Sequence, residues 1–229
     1  MAYELIIGDE SFSTWSLRGW LMFTRFDLPV DVRFAGLYSG TFHEDMAPYA
    51  PARLVPAMRL PDGSVLGDTL AMAETLAERH PEAGLWPADP VARARARWLV
   101  AEMHSGFTAL RADCSMNLRR VWEGFEQSDA VRADLRRIEE LWDGAKSSFG
   151  AEGSPWLFGA YSLADVFYAP VAARIAGYQL PVGPAAQDYV AAHLADPLFE
   201  SWRIAGSKRS YEVEPYAMNL PSRPWPGAA

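Results

Sequence analysis

The sequence predicts a small mixed α/β unit followed by an all-helical one. Three observations predict it: segments of strand and helix period alternate up to about residue 80, a proline-rich stretch follows, and beyond it strand signals nearly vanish. Tyr3 to Ile7 is a short β-prone run ending at Gly8, and a polar loop, Asp9 to Thr14, follows it. From Trp15 to Phe26 the apolar residues Trp15, Trp20, Leu21, Phe23 and Phe26 share one wide helical face. Val30 to Phe34 alternates with period two and reads as a half-buried strand. An irregular stretch, Tyr38 to Arg53, leads to Ala57–Leu60 and Val65–Leu66, which flank Pro61-Asp62-Gly63-Ser64 and predict an antiparallel hairpin. Asp68-Thr69 then opens a helix that Pro81 stops.

Pro81 to Pro90, with three prolines and a glycine, reads as a linker. Val91 to about Leu118 carries one long helical pattern. Val131, Leu135, Ile138, Trp142 and Ala145 step by four, three, four and three, the spacing of an amphipathic helix. Ser162 to Ala176 is apolar nearly all round and predicts a buried central helix. Gln187 to about Ala205 offers one or two short helices, and Glu212 to Ala229, with four prolines, reads as an irregular tail.

Composition narrows the function. Of 229 residues half are hydrophobic and 13% aromatic, enough for a real core. Lys and Arg number 21 against 29 Asp and Glu, a formal charge of −8 with no basic run, so a nucleic-acid partner is not expected. The one cysteine, Cys114, excludes an intramolecular disulfide framework and reads as a small buried residue. The four histidines are too dispersed to suggest a metal site. No run approaches the roughly 20 apolar residues that span a bilayer, and the first ten residues carry no basic run and one short apolar one. The expectation is a cytoplasmic protein with no membrane partner.

Phosphate-loop, dinucleotide, nucleophile-elbow and zinc-protease motifs are absent. Three features remain. Ser11, Ser13, Thr14 and Ser16 lie where a strand passes into a helix N-terminus, whose free N–H groups favour an anion; an ordinary serine cap accounts for them as well. Val55-Pro56 precedes a strand, where a cis bond or a plain strand-entry proline fits. Asp68-Thr69 reads either as helix capping or as a carboxylate for a ligand ammonium beside a hydroxyl for a ligand carboxylate.

In this order and at these spacings the features resemble the glutathione transferase family over nearly the whole chain. Asp68-Thr-Leu-Ala-Met-Ala-Glu-Thr-Leu76 is similar to the family's acid–hydroxyl helix start, and Val55-Pro56 stands in the place of its cis-proline. Gly159-Ala-Tyr-Ser162-Leu-Ala-Asp165 resembles the capping box that opens the family's central helix. Ser13-Thr-Trp-Ser16-Leu-Arg18 resembles the entry of serine-type members, including the zeta class and the maleylacetoacetate isomerases, and Met103 to Arg111 the matching helix of a bacterial branch.

That resemblance implies a thioredoxin-like glutathione-binding domain over 1–82 and an all-α domain over 91–229 that contributes the electrophile site. It implies a detoxifying transferase with glutathione as cosubstrate and no metal, acting on a small hydrophobic or anionic electrophile as a homodimer. A glutathione-dependent cis–trans isomerase and a non-catalytic binding module are the alternatives. Ser13 is implied as the hydroxyl that stabilises the thiolate, with Ser11 and Ser16 as alternatives. Val55 and Pro56 are implied for the cysteinyl part of glutathione, Asp68 and Thr69 for its γ-glutamyl end, Arg53 and His43 for its glycyl carboxylate. Trp15, His104, Phe107 and Arg111 are the candidates for the second-substrate pocket, the last three on one face of a single helix. Arg18 is expected to form an interdomain ion pair. Trp15 stands where zeta-type sequences carry a cysteine, which argues against disulfide chemistry.

Overall fold

Leu5, Ile6 and Ile7 are buried on both faces of β1 (Tyr3–Ile7), and the first sheet is built around that strand. The computed structural model describes residues 2–208 and 213–225. β2 (Val30–Phe34) pairs parallel to β1, and β3 (Ala57–Arg59) antiparallel on its other side, with Leu5 opposite Met58. β4 (Val65–Leu66) closes the hairpin, giving the order β2-β1-β3-β4. Gly63, with φ of +90°, and the Ser64 N–H donating to Asp62 Oδ1 at 2.9 Å make the turn. The connecting helices are α1 (Thr14–Thr24), the short α2 (Phe42–Met46) and α3 (Thr69–Arg79). This is the thioredoxin-like arrangement that the resemblance implied, followed by a mostly helical remainder.

β2 departs from its half-buried reading. It is a sheet edge, and Val32 and Phe34 are exposed; the charges of Asp31 and Arg33 on that edge oppose pairing with another chain.

The remaining helices are α4 (Pro90–Ser105), α5 (Thr108–Asp113), α6 (Asp129–Phe149), α7 (Leu163–Gly177), α8 (Pro184–Leu194) and α9 (Pro197–Ser207). The single helix expected from Val91 to Leu118 is therefore broken. α4 ends at Gly106, where a Cβ would stand 2.6 Å from the Glu102 carbonyl, and Phe107 adopts a left-handed φ of +52°. The irregular tail is also corrected in part. Ser222–Pro224 forms β6, antiparallel to β5 (Arg120–Trp122), and Trp225 is buried against Gly177. Glu212 and residues 226–229 lie outside the described residues.

The two halves share one core. Leu17, Leu21 and Phe23 of α1 belong to the same apolar cluster as Leu99, Phe167 and Trp202. Polar contacts cross the same seam: the Trp202 indole N–H donates to the Glu10 carbonyl at 2.7 Å, and the Leu118 N–H to the Ser11 carbonyl at 3.0 Å. The proline-rich linker is pinned as well, with Leu85 and Trp86 buried and the Leu163 N–H donating to the Leu85 carbonyl. Helix α7 starts in a capping box: Asp165 Oδ2 accepts from the Ser162 N–H at 2.8 Å, and Oδ1 accepts from Tyr189 OH at 2.8 Å.

Two buried groups in this helical half titrate in opposite senses. Burial holds the His193 imidazole down at about 3, among Trp156, Tyr161 and Tyr189, with Asp196 opposing the shift and Arg25 adding to it. The unfolded chain then binds a proton that the folded one refuses. The stability from neutral His193 is complete above about pH 6.5 and is lost as pH falls toward 3. Asp165 runs the other way: burial raises it to about 6, against the pull of its donors. Its contribution is complete below about pH 4 and is lost as pH rises through about 6. In urea titrations the wild-type midpoint should drop more steeply between pH 6.5 and 4.5 than that of His193→Phe. Parallel slopes would remove His193 as a source of acid sensitivity.

Candidate active site

β1 delivers the chain to Gly8, and the loop Asp9–Ser13 turns it into α1. The Ser13 N–H closes that turn on the Asp9 carbonyl at 2.8 Å. Ser13 is the N-cap of α1: its Oγ accepts from the Ser16 N–H at 3.3 Å and donates to Ser16 Oγ at 2.7 Å. Ser16 Oγ also accepts from the Gly8 N–H at 2.8 Å and is fully buried. The three candidate serines are thereby separated. Ser13 lines a cavity of about 480 Å³ between the two halves, together with Thr14. Ser16 lies beneath it. Ser11 faces α9, its Oγ 2.5 Å from the point where a Gly206 Cβ would stand.

Val55 lines the same cavity, just before the β1–β3 ladder begins at Ala57, and its bond to Pro56 is cis. Pro56 itself lies behind, where a Cβ on Gly19 of α1 would come within 3.0 Å of its ring. That contact is tighter than an ordinary one, so glycine suits this close approach of α1 to the sheet unit.

Asp68 caps α3, its Oδ1 accepting from the Leu70 and Ala71 N–H groups at 2.8 and 3.0 Å. Its Oδ2 lies 3.2 Å from His104 Nε2 of α4. Thr69 is buried, and its hydroxyl has no partner among the described residues. His43 and Arg53 line a neighbouring hollow of about 470 Å³ that shares Phe42 with the first.

The second-substrate residues divide. Trp15 and Arg111 line the cavity. The Arg111 guanidinium lies 5.2 Å from the Trp15 ring centroid, and that of Arg18 lies 4.4 Å from the same ring. His104 is not on the cavity wall; it packs edge-on against Trp15 and pairs with Asp68. Phe107 is a core residue. The shared face assumed an unbroken helix, and the break at Gly106 and Phe107 turns Phe107 inward.

Arg18 joins the halves, but among the described residues it forms no ion pair. It is buried, and its Nε donates to the Phe167 carbonyl of α7 at 2.9 Å. Burial, with Arg174 and Arg111 nearby, lowers its pKa well below the usual arginine value. Cys114 is fully buried, and burial pushes its thiol up to about 12, so it is no nucleophile at neutral pH. Among the wall residues that sequence reasoning missed, two are polar groups from distant segments. Arg174, near the end of α7, is 5% exposed, and Tyr216 comes from the C-terminal segment to pack 5.1 Å from Phe12. A signal for Arg174 existed: beyond the capping Asp165 it is the only charged residue of this mostly apolar helix. Among the described residues no three His, Cys, Asp or Glu side chains could hold a metal ion, and no helix is long and apolar enough to cross a membrane.

Comparison with known proteins bears on this site. Residues 12–79 match the family described as glutathione S-transferase, N-terminal domain. The chain is 32% identical over 157 residues to a maleylacetoacetate isomerase from Pseudomonas aeruginosa, a match covering 63% of this chain and 70% of that one. A glutathione transferase homologue from a Burkholderia, solved with bound glutathione, superposes with a TM-score of 0.67 at 22% identity, covering 91% of this chain and all of that one. The unclassified glutathione S-transferase 2 of Bombyx mori superposes with a TM-score of 0.69 at 16% identity, covering 89% and 94%.

Proposed function

The chain belongs to the glutathione S-transferase family, and from that premise we propose that Ser13 stabilises the thiolate of glutathione for attack on a small electrophile in the cavity between the halves. The observation that carries the proposal is the Ser13 hydroxyl on the cavity wall, at the N-terminus of an eleven-residue helix and opposite Val55. A thiol with a pKa near 8.5 is mostly protonated at neutral pH, and one unit of lowering corresponds to about 1.4 kcal/mol. A hydroxyl donating to sulfur, with the helix N-terminus beside it, is of that size. Ser13 has a proton to give: it now donates to Ser16, whose oxygen keeps the Gly8 N–H as a second donor when Ser13 rotates toward sulfur.

The rest of the tripeptide fits around this point. The Val55 backbone meets the cysteinyl part in strand fashion. Asp68 has about four lone-pair positions and spends three of them on Leu70, Ala71 and His104, leaving one for the γ-glutamyl ammonium. The unpartnered Thr69 hydroxyl at the start of α3 suits the γ-glutamyl carboxylate. His43 and Arg53 in the adjoining hollow suit the glycyl carboxylate. Thiolate addition to a conjugated alkene, bond rotation and elimination would run on the same groups, and the isomerase relative supports that second reading. We place the domain boundaries at 1–82 and 91–229, and read the protein as a cytoplasmic homodimer serving detoxification. The exposed Val91 and Trp98 of α4 support self-association.

Three outcomes are expected. Ser13→Ala should leave glutathione affinity within about twofold but lower turnover at neutral pH, and the deficit should close above the free thiol pKa of about 8.5, where base supplies the thiolate. The activity midpoint then moves up by about one pH unit; an unchanged pH profile removes Ser13 from the chemistry. Asp68→Ala should weaken glutathione binding by about 1.5–3 kcal/mol in calorimetry, and wild-type affinity would dismiss the ammonium contact. Light scattering at micromolar concentration should give twice the chain mass, and a monomer mass would end the homodimer reading.

A further inference from the structure

We infer that the thiol peptide this protein binds best ends in an apolar residue larger than glycine, with its side chain in the hollow beside α2 and its carboxylate at Arg53. This rests on the transferase reading and narrows the class of thiol that the same site takes.

The hollow is nearly as large as the cavity between the halves, about 470 against about 480 Å³. A hollow of that size suits a ligand group of its own. The glycyl end of glutathione has no side chain, so its carboxylate would use the rim and leave the interior unfilled. Phe42, Met46, Ala47, Pro51 and Ala52 make the wall apolar, and among the described residues it includes no Asp or Glu. The floor is preformed. Met46 is buried in a small core cluster with Tyr49 and Val55, and Phe42 and Ala52 pack against that cluster. The loop around it is closed by its own backbone: the Ala50 N–H donates to the Ala47 carbonyl at 3.3 Å, and the Ala52 N–H to the Tyr49 carbonyl at 2.9 Å.

The polar members of the wall are His43 and Arg53. Among the described residues no carboxylate pairs with either, whereas Arg33, Arg59, Arg79 and Arg97 each take one. A guanidinium beside a hydrocarbon wall matches the two halves of a C-terminal apolar amino acid, carboxylate to the one and side chain to the other. The chain also connects this hollow to the reaction centre: Ala52 and Arg53 line the hollow, Leu54 and Val55 the cavity. A peptide that meets Val55 through its cysteinyl backbone advances about 3.3 Å with each residue. Where it runs on toward Arg53, its next residue stands beside Leu54, at the mouth of the hollow. Leu54 is 70% exposed, and an apolar side chain there would cover it. Glycine covers neither Leu54 nor Phe42.

The test compares three ligands by calorimetry: glutathione, γ-glutamylcysteinylleucine and the C-terminal amide of the leucine peptide. The wild-type protein should bind the leucine peptide about tenfold more tightly than glutathione, and the amide about tenfold less tightly than the acid. Ala47→Phe fills the hollow and should bring the leucine-to-glycine ratio below about twofold. Arg53→Met should bring the acid-to-amide ratio below about twofold. Both positions are exposed, so neither substitution burdens the core. A wild-type ratio below about threefold in either comparison overturns the inference. A leucine preference that survives Ala47→Phe overturns it too, because the side chain would then lie elsewhere, as does an acid preference that survives Arg53→Met. In each of these outcomes the peptides still bind, and the transferase reading stands. If wild type binds none of the three, that reading falls and the inference with it. Should Ala47→Phe fail to fold, the acid-to-amide ratio of Arg53→Met decides by itself.

Discussion

The site depends on one constraint: α1 is packed on both sides, so its N-terminus has no freedom to move. Gly19 lets the helix lie against Pro56 of the sheet unit, and the neighbouring Arg18 reaches across to the Phe167 carbonyl of α7. A Cβ at position 19 would come within 3.0 Å of the ring of Pro56, the residue next to Val55. A carbonyl partner for Arg18, in place of a carboxylate, costs the helix no second buried charge and fixes its rotation about its own axis. Ser13, Thr14 and Trp15 are the next turn of that helix, so the cavity wall inherits its position from the core.

Electrostatics divides the molecule along the same seam. In a chain with net charge −8, outer arginines such as Arg59 and Arg97 are paired with carboxylates, whereas the cavity wall carries Arg111 and Arg174 and, among the described residues, no Asp or Glu. Glutathione is an anion, so the outer field of the protein repels what the cavity lining attracts. Salt screens the outer charges over about 8–10 Å but reaches the buried guanidinium groups much less. Association by such ligands should therefore depend on the local lining more than on the overall charge.

Much of the fold was legible because its signals are local. The β-prone run of β1, the Pro-Asp-Gly-Ser turn and the four–three steps of α6 each report on a few neighbouring residues, and the structure follows them. The failures are non-local. Nothing in Val30–Phe34 tells whether a second layer covers the strand, and at the sheet edge Asp31 to Phe34 are exposed. Helix propensity runs through Ala, Arg, Glu and Leu across residues 91–118, and only Gly106 hints at the break that withdraws Phe107 from the pocket. Prolines argued against a strand in the tail, yet a three-residue ribbon tolerates Pro224 opposite Arg120. At the site, hydroxyls beside a helix start marked Ser13 and Asp68 as a set. Arg174 was hidden by the rule that an all-apolar helix is simply core.

The C-terminal segment shows how the cavity acquires its last wall. Tyr216 sits 5.1 Å from Phe12 and 6.1 Å from Tyr38, so three segments from distant parts of the chain meet as one aromatic cluster. Asn117 donates to the Tyr216 carbonyl at 3.4 Å, and the β5–β6 ribbon anchors the segment further on. Trp225 then locks against Gly177, one turn beyond Arg174 on the same helix. The residue that offers charge to the cavity and the segment that narrows it are thus fixed to one end of α7. A substitution that loosens Trp225 would act on the second substrate through that helix end, while leaving Ser13 and Val55, held by α1 and the sheet, where they are.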